Sequence, residues 1–194
     1  MTDVVLFHHV QGLTDGLRAF AAELAGPEHA VHTPDIYGGR TFDTLEEGFA
    51  FLRTLDEAAV AAAADDAVAG LPDGVVVAGV SWGVAHAQRL AQTRPGIGGA
   101  LLFEACFPAG EDGFGAWPDG MPFQVHGKDD DAFFAHEGDL AAARELVALV
   151  GPERGEVFTY PGGAHLFVDR SLPSYDAAAA TLAVQRVRDF LRRR

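Results

Sequence analysis

The sequence predicts an α/β domain in which a mainly parallel sheet of about six strands carries helices on both faces. Short apolar runs alternate along the chain with longer segments of helical periodicity, as in consecutive βαβ units. Several runs are apolar on successive residues, most clearly at 75–80, which is typical of strands buried on both faces. The 48% hydrophobic and 22% charged residues are those of an ordinary globular chain. We therefore predict one domain that covers residues 1–194.

Each strand and helix of this prediction has a local signal. The predicted strands are the apolar runs at 4–7, 30–37, 75–80, 99–103, 122–126 and 157–160. The predicted helices are one after Thr14, one broken helix or two within 44–70, and others at 84–93, 140–150 and 175–194. Gly26-Pro27 and Gly151-Pro152 end two of these helices. The Gly-, Pro- and acid-rich stretch 108–120 is predicted to be a surface loop, because the sheet pattern resumes directly after it.

Charge and cysteine content exclude several classes of protein. The 14 basic and 28 acidic residues give a net charge of −14, which argues against a nucleic-acid partner. The single cysteine, Cys106, rules out an internal disulfide or a multi-cysteine zinc site, and we expect it to be a small buried apolar residue. No apolar run reaches the roughly 18 residues of a membrane span, and the first residues lack the pattern of a signal peptide. We therefore expect a cytoplasmic protein with no membrane partner.

The strongest chemical signal is the pentapeptide Gly79-Val80-Ser81-Trp82-Gly83. It follows the clearest strand and precedes a helix, which is the context that a G-x-S-x-G nucleophile elbow requires. The tight turn needs small residues two before and two after the serine, and it lifts the hydroxyl above the sheet. It also directs the Trp82 amide and the start of the helix toward a developing oxyanion. Ser81 is therefore the predicted nucleophile.

A serine nucleophile needs a base, and the base needs a carboxylate that orients it. Along a doubly wound hydrolase these residues follow in the order Ser, Asp or Glu, His. Here His165 lies in a glycine-rich loop after the last strand, and three aspartates at 129–131 follow the strand before it. We favour Asp130 as the acid. Glu104, at the end of the preceding strand, stays open as an alternative, since it could also reach the histidine.

The remaining histidines do not predict a metal site. His8 and His9 are adjacent, and His29 and His32 are three positions apart. Neither pair has a carboxylate or a third histidine in a convincing spacing. We therefore predict no metal and no cofactor.

Linked motifs over nearly the whole chain resemble those of the dienelactone hydrolase family of α/β-hydrolases. The matching segments are His8-His9-Val10-Gln11-Gly12-Leu13, Thr33-Pro34-Asp35-Ile36-Tyr37-Gly38, Gly127-Lys128-Asp129-Asp130, Tyr160 to Phe167, and Ser174-Tyr175-Asp176. The resemblance implies a single α/β-hydrolase domain without a lid domain. It also implies Asp130 as the acid.

The resemblance further implies the surroundings of the nucleophile. The amides of Val10 and Trp82 would form the oxyanion hole, and the side chains of His9, Trp82 and Phe167 would contact the substrate. The chain departs from the family pattern in having Ser81 for the usual cysteine and His9 for a glutamate. It also has Asp169 where the family has an arginine that binds a substrate carboxylate. An acidic dienelactone is therefore not the expected substrate.

From these residues we expect hydrolysis of a carboxylic ester, thioester or lactone through an acyl-enzyme on Ser81. The expected partner is a small-molecule substrate. The sequence does not indicate whether the protein is a monomer or an oligomer. Two alternatives stay open. The same triad could cleave an amide or peptide bond, which esters and anilides would distinguish. The fold could also be a catalytically silent binding module, in which case Ser81 would not react with a phosphonate probe.

Overall fold

The computed structural model of the chain describes residues 1–194 and contains one parallel sheet of six strands. In chain order the strands are β1 (Asp3–Phe7), β2 (Ala30–His32), β3 (Val75–Val80), β4 (Ile97–Phe103), β5 (Phe123–Lys128) and β6 (Gly155–Tyr160). Across the sheet they run β2-β1-β3-β4-β5-β6, and every neighbouring pair is parallel. The predicted fold class is confirmed.

Six helices connect or follow the strands. They are α1 (Asp15–Ala25), α2 (Leu45–Leu52), α3 (Glu57–Ala69), α4 (Gly83–Thr93), α5 (Asp139–Val150) and α6 (Ala177–Arg192). The segment 44–70, predicted as one broken helix or two, is two helices, each with its own cap. Thr44 and Glu47 form a capping box at α2, and the Asp56 side chain accepts from the Ala59 amide at α3.

The sheet separates two apolar cores, which explains the runs of successive apolar residues. Along β3, Val76 and Ala78 face the core that contains α1 and α6. Val75 and Val77 face the opposite core, which contains α3, α4 and α5. Because neighbouring side chains on a strand point to opposite faces, a strand covered on both sides must be apolar at every position.

The strand order places the functional site. The chain runs from β1 outward to β2 and then returns to β3 on the other side of β1. This reversal makes the carboxyl ends of β1 and β3 a topological switch point, where parallel α/β sheets leave a crevice for ligands. Val10 leaves β1 at this point, and Ser81 directly follows β3.

The remaining features concern the loops and the surface. Residues 108–120 form no helix or strand apart from one bridge between Gly110 and Gly115, as the loop prediction requires. Cys106 is only 2% exposed, and its burial raises the pKa of the thiol to about 12. None of the helices combines the length and the apolar character that crossing a membrane would require.

Candidate active site

The turn between β3 and α4 presents Ser81 as the sequence predicts. Ser81 lies in the left-handed region with a φ of 50°, and its amide donates to the Phe103 carbonyl over 2.7 Å. A Cβ atom on Gly79 would lie 2.3 Å from the carbonyl carbon and oxygen of Gly83. A Cβ atom on Gly83 would lie 2.4 Å from the carbonyl oxygen of Phe7. Both glycines are therefore required by close backbone approach.

Three side chains that follow three different strands form one continuous chain of hydrogen bonds. The Nε2 atom of His165 lies 2.9 Å from Ser81 Oγ, and its Nδ1 atom lies 2.6 Å from Asp131 Oδ2. The Asp131 side chain has no exposure, and that of His165 is 10% exposed. The arrangement has the order and the distances of a nucleophile, a base and an orienting carboxylate.

The prediction of Asp130 as the orienting acid is wrong in position by one residue. The side chain of Asp130 is 77% exposed and pairs with His136 over 3.0 Å. Strand β5 extends to Lys128, two residues beyond the predicted end, and the Asp130 amide still donates to the Gly162 carbonyl. The chain turns inward only at Asp131, whose Oδ1 accepts from the Phe133 amide over 2.9 Å. Asp131 therefore occupies the position beside His165.

Glu104, the alternative acid, also lies in this group but in a different role. It is 1% exposed, and its Oε1 atom accepts from the Phe167 amide over 3.2 Å. Its Oε2 atom is buried without a partner. One ligand atom each from Glu104, Asp131 and His165 lie within 4.8 Å of one another. Both ring nitrogens of His165 are already engaged, one by Ser81 and the other by Asp131.

Backbone strain is concentrated at the same place. Ser81, Glu104 and Leu166 are the non-glycine residues with positive φ, at 50°, 61° and 65°. Each of them directly follows a strand or His165. Such backbone costs of order 1–3 kcal/mol per residue and persists only where the surrounding structure holds it in place. The fold therefore holds the reactive groups in fixed positions.

Electrostatics at the site favour a protonatable base. Burial by itself would lower the pKa of His165, but the hydrogen bond to Asp131 and the nearby carboxyl of Glu104 raise it above the ordinary value of 6.5. Burial also raises the pKa of Glu104, to about 7. Phe133 packs against the imidazole with ring centroids 4.8 Å apart, and shields it from solvent.

The space above Ser81 is small and carries no lysine or arginine. A cavity of about 170 Å³ is bounded by Ser81, Trp82, Phe107, Phe133 and His165. Its wall also includes three acidic residues, Glu104, Glu137 and Asp139, and no lysine or arginine. Trp82, the third residue predicted to contact the substrate, is partly buried and lines this cavity.

The two amides predicted for the oxyanion hole are free to donate. Neither the Val10 amide nor the Trp82 amide bonds to a protein acceptor. Trp82 is the residue before α4, so its amide is one of the unsatisfied donors at the amino end of that helix. The backbone that leaves β1 passes close to the same helix end, because the Phe7 carbonyl limits the space at Gly83.

Two predicted substrate contacts are wrong because the side chains are sealed in the interior. His9 has no exposure; its Nε2 atom lies 2.8 Å from Asp169 Oδ2, and its Nδ1 atom accepts from the Gln11 amide. Phe167 is also fully buried, and it packs on Tyr160 with ring centroids 5.1 Å apart. Neither side chain lines the cavity at Ser81.

Asp169, where the family pattern has an arginine, is the centre of a hydrogen-bond cluster. Burial opposes its ionisation, but hydrogen bonds from His9, Ser171 and Thr14 lower its pKa to about 2. The neighbouring Arg170 forms an ion pair with Glu23, outside the cavity. No other arginine or lysine therefore takes the place of the missing arginine at the cavity.

Sequence reasoning missed Asp131 and Phe133, and a signal for Asp131 was present. The run of three aspartates contained the correct residue, but the predicted strand ended at 126, not at Lys128. A strand that continued through Gly127-Lys128 would have moved the exit two residues along the chain. Asp129 and Asp130, whose amides donate to the Tyr160 and Gly162 carbonyls, would then have followed the strand directly, which leaves Asp131 as the aspartate of the run that turns inward.

Comparisons with known proteins agree with the fold. A model of the dienelactone hydrolase family matches residues 1–194. A solved dienelactone hydrolase-like promiscuous phosphotriesterase from metagenomic libraries is 21% identical, with a TM-score of 0.74 over 100% of this chain and 86% of that chain. Esterase 2 of Thermogutta terrifontis, solved phosphonylated by sarin, is 16% identical, with a TM-score of 0.68 over 98% of this chain and 83% of that chain.

A pyrethroid hydrolase is 15% identical, with a TM-score of 0.65 over 99% of this chain and 98% of that chain. No curated protein matches the sequence. At these identities the solved structures establish the α/β-hydrolase fold, and the match of the family model over the whole length is more specific. The chain belongs to the dienelactone hydrolase family and is a hydrolase.

Proposed function

We propose that this hydrolase cleaves a neutral carboxylic ester, thioester or lactone through an acyl-enzyme on Ser81. The observation that carries the proposal is the continuous hydrogen-bonded chain Ser81–His165–Asp131, with distances of 2.9 and 2.6 Å. A serine hydroxyl is a weak nucleophile until a positioned base removes its proton. Here the base lies at hydrogen-bond distance, and its other nitrogen is held by a buried carboxylate.

In the first half of the reaction, His165 Nε2 takes the Ser81 proton while Oγ attacks the acyl carbon. The carbonyl oxygen becomes an oxyanion, which the amides of Val10 and Trp82 would stabilise. The tetrahedral intermediate then collapses. The bond to the leaving oxygen or sulfur breaks, and His165 gives its proton to the leaving group. Asp131 holds the ring orientation and stabilises the imidazolium without taking its proton.

In the second half of the reaction, a water molecule attacks the acyl-enzyme, and His165 removes a proton from this water. Collapse of the second tetrahedral intermediate breaks the acyl–Oγ bond, returns the proton to Ser81 and releases the acid. These steps need only the side chains and amides described above. The proposal includes no metal or cofactor and takes a small molecule, not a nucleic acid or a membrane, as the partner.

The cavity supports a neutral and compact acyl group. A volume of about 170 Å³ suits a short acyl chain, and the wall contains three acidic side chains but no lysine or arginine. A substrate carboxylate would lie close to Glu104, Glu137 and Asp139 with no lysine or arginine to pair with it. The chain's net charge of −14 would further disfavour its binding. A neutral ester avoids this repulsion.

The test is hydrolysis of p-nitrophenyl acetate by the wild type and by the Ser81→Ala variant. We expect turnover in the wild type and a loss of about 10⁴-fold or more in the variant. A fluorophosphonate probe, followed by mass spectrometry of the tryptic peptide, should label Ser81 in the wild type only. Equal rates for both proteins, together with no labelling, would reject the proposal in favour of a binding module. Faster cleavage of acetyl anilides than of esters would instead support amide hydrolysis by the same residues.

A further inference from the structure

Glu104 carries two unfavourable features at one residue. Its side chain is 1% exposed, although burial of a carboxyl group without full pairing is costly. Its backbone is also held at a φ of 61°, in the left-handed region. It directly follows β4, which lies between the strands that precede Ser81 and Asp131. Costs of this kind persist where the surrounding structure compensates for them, often at functional positions.

Only one carboxyl oxygen of Glu104 is hydrogen-bonded, and the carboxyl group lies close to the His165 ring. Oε1 accepts from the Phe167 amide over 3.2 Å, while Oε2 is buried and has no partner. One carboxyl oxygen lies within 4.8 Å of a ring nitrogen of His165 and of a carboxylate oxygen of Asp131. Two carboxyl groups and one imidazole therefore share a site with very little water.

The charged groups around Glu104 come from three segments. His165 follows β6, Asp131 follows β5, and the acidic pair Glu137 and Asp139 lies at the start of α5. No lysine or arginine lines the cavity. Burial raises the pKa of Glu104 to about 7, although the charge of His165 acts to lower it. Imidazolium is thus the one positive charge available to both carboxyl groups.

We propose that Glu104 is a positioning residue that shares with Asp131 the stabilisation of the His165 imidazolium. The inference rests on the proposed function, in which this cation forms when Ser81 gives up its proton. Asp131 accepts a hydrogen bond from Nδ1, whereas Glu104 acts by its charge and forms no bond to the substrate. The protein thus has two carboxyl groups, from neighbouring strands, in the electrostatic role that most triads give to one.

A purely structural role for Glu104 is the competing explanation. Its bond to the Phe167 amide helps to hold the turn that carries His165. The Glu104→Gln variant separates the two roles, because the amide oxygen of glutamine can still accept from Phe167 while the charge is lost. Asp130→Asn is the matched control, since it removes one negative charge next to Asp131 from a side chain that is 77% exposed.

The first test measures His165 directly and needs no turnover. In the Ser81→Ala background, the imidazole ¹H–¹³C signals of His165, assigned by comparison with a His165→Asn variant, are titrated by NMR. We expect Glu104→Gln to lower the pKa of His165 by about one unit, because a negative charge near the cation is removed. Asp130→Asn should leave it unchanged. An unchanged pKa in Glu104→Gln would overturn the proposal, whatever the esterase assay shows.

The second test is a double-mutant cycle on ester hydrolysis. We expect losses in kcat of about 10-fold for Glu104→Gln and about 100-fold for Asp131→Asn. These are smaller than the roughly 10⁴-fold that loss of a sole triad aspartate costs. The double variant should lose about 10⁴-fold, more than the product of the single losses, because both carboxyl groups within 4.8 Å of the His165 ring are then neutralised. Glu104→Gln at the wild-type rate in both backgrounds, with all variants folded by circular dichroism, would assign Glu104 a structural role only.

Discussion

His9 and Asp169, 160 positions apart in the chain, are joined by a hydrogen bond of 2.8 Å from which solvent is fully excluded. The family pattern has a glutamate and an arginine at these two positions. The two most conspicuous departures of this chain are therefore partners of one another. Together they form an internal connection between the loop after β1 and the segment that follows His165. They do not contact the cavity at Ser81.

Loss of the Asp169 charge should destabilise the fold. We expect Asp169→Asn to lower the free energy of unfolding by about 3 kcal/mol, because the buried donors on His9 and Thr14, and the Ser171 hydroxyl, lose an anionic acceptor. The control is Asp3→Asn, whose pair with His32 is of similar length at 2.7 Å but exposed. Its effect should stay below about 1 kcal/mol. Urea unfolding measures the loss of stability in both variants. Equal losses would contradict the view that the buried Asp169 cluster stabilises the fold more than the exposed pair.

The same aspartate predicts how stability changes in acid. Its pKa lies at about 2 in the folded protein, below the ordinary value of 3.8. A carboxyl group whose pKa is lowered by folding contributes its full stabilisation at pH values above its ordinary pKa. This stabilisation is lost as the pH falls through the pKa of the folded protein. Between pH 4 and pH 2 the wild type should therefore lose stability more steeply than Asp169→Asn. Parallel unfolding curves measured at several pH values would disprove this.

The rate of ester hydrolysis should fall in acid with a midpoint above 6.5, the ordinary value for histidine. The pKa of His165 is raised, and only the neutral imidazole can accept the Ser81 proton, so protonation removes the base. The measurement is kcat/KM for p-nitrophenyl acetate from pH 5 to pH 9, corrected for spontaneous hydrolysis. A flat profile over this range would exclude His165 as the base.

Gly79 should tolerate no side chain. Its Cβ would lie 2.3 Å from backbone atoms of Gly83, so Gly79→Ala must displace either β3 or the start of α4. We expect a loss of about 3 kcal/mol in unfolding free energy, together with loss of ester hydrolysis. Gly70→Ala is the control, because nothing lies within 4 Å of its Cβ position at the end of α3. A folded, fully active Gly79→Ala variant would contradict the tight elbow.

Trp82 should limit the size of the substrate. Its side chain lines both the cavity at Ser81 and a larger apolar cavity of about 480 Å³ between α3 and α4. Removal of the indole in Trp82→Ala should join the two spaces and raise the rate for p-nitrophenyl octanoate relative to acetate by about tenfold. The Trp82 amide is retained in this variant.

Phe114→Ala is the matched control for this experiment, since Phe114 lines only the larger cavity. It enlarges that space without opening it toward Ser81, so the ratio of the two rates should stay at the wild-type value. An unchanged ratio in Trp82→Ala would show that the larger cavity is not accessible to the acyl chain. An equal rise of the ratio in both variants would show that weaker packing of the surrounding side chains, and not the loss of the indole, admits the longer acyl chain.

The sequence was sufficient to predict features that are determined locally. The apolar runs predicted the strands, and the glycines around Ser81 predicted the elbow, because close approach there depends on neighbouring residues. The identity of the acid depended on where β5 ends, which its pairing with β6 decides. His9 and Phe167 were misassigned for a similar reason, since only the packed interior shows that both are sealed from the cavity.

The buried position of Cys106 has a practical consequence. It is the only cysteine of the chain, and at 2% exposure with a thiol pKa of about 12 it holds almost no thiolate at neutral pH. Alkylating agents and mild peroxides react with thiolates, so they should leave Cys106 of the native protein unmodified. A cysteine introduced at an exposed position such as Ala62 would then be the single reactive thiol. The natural sequence therefore already offers a background for attaching one fluorophore or spin label.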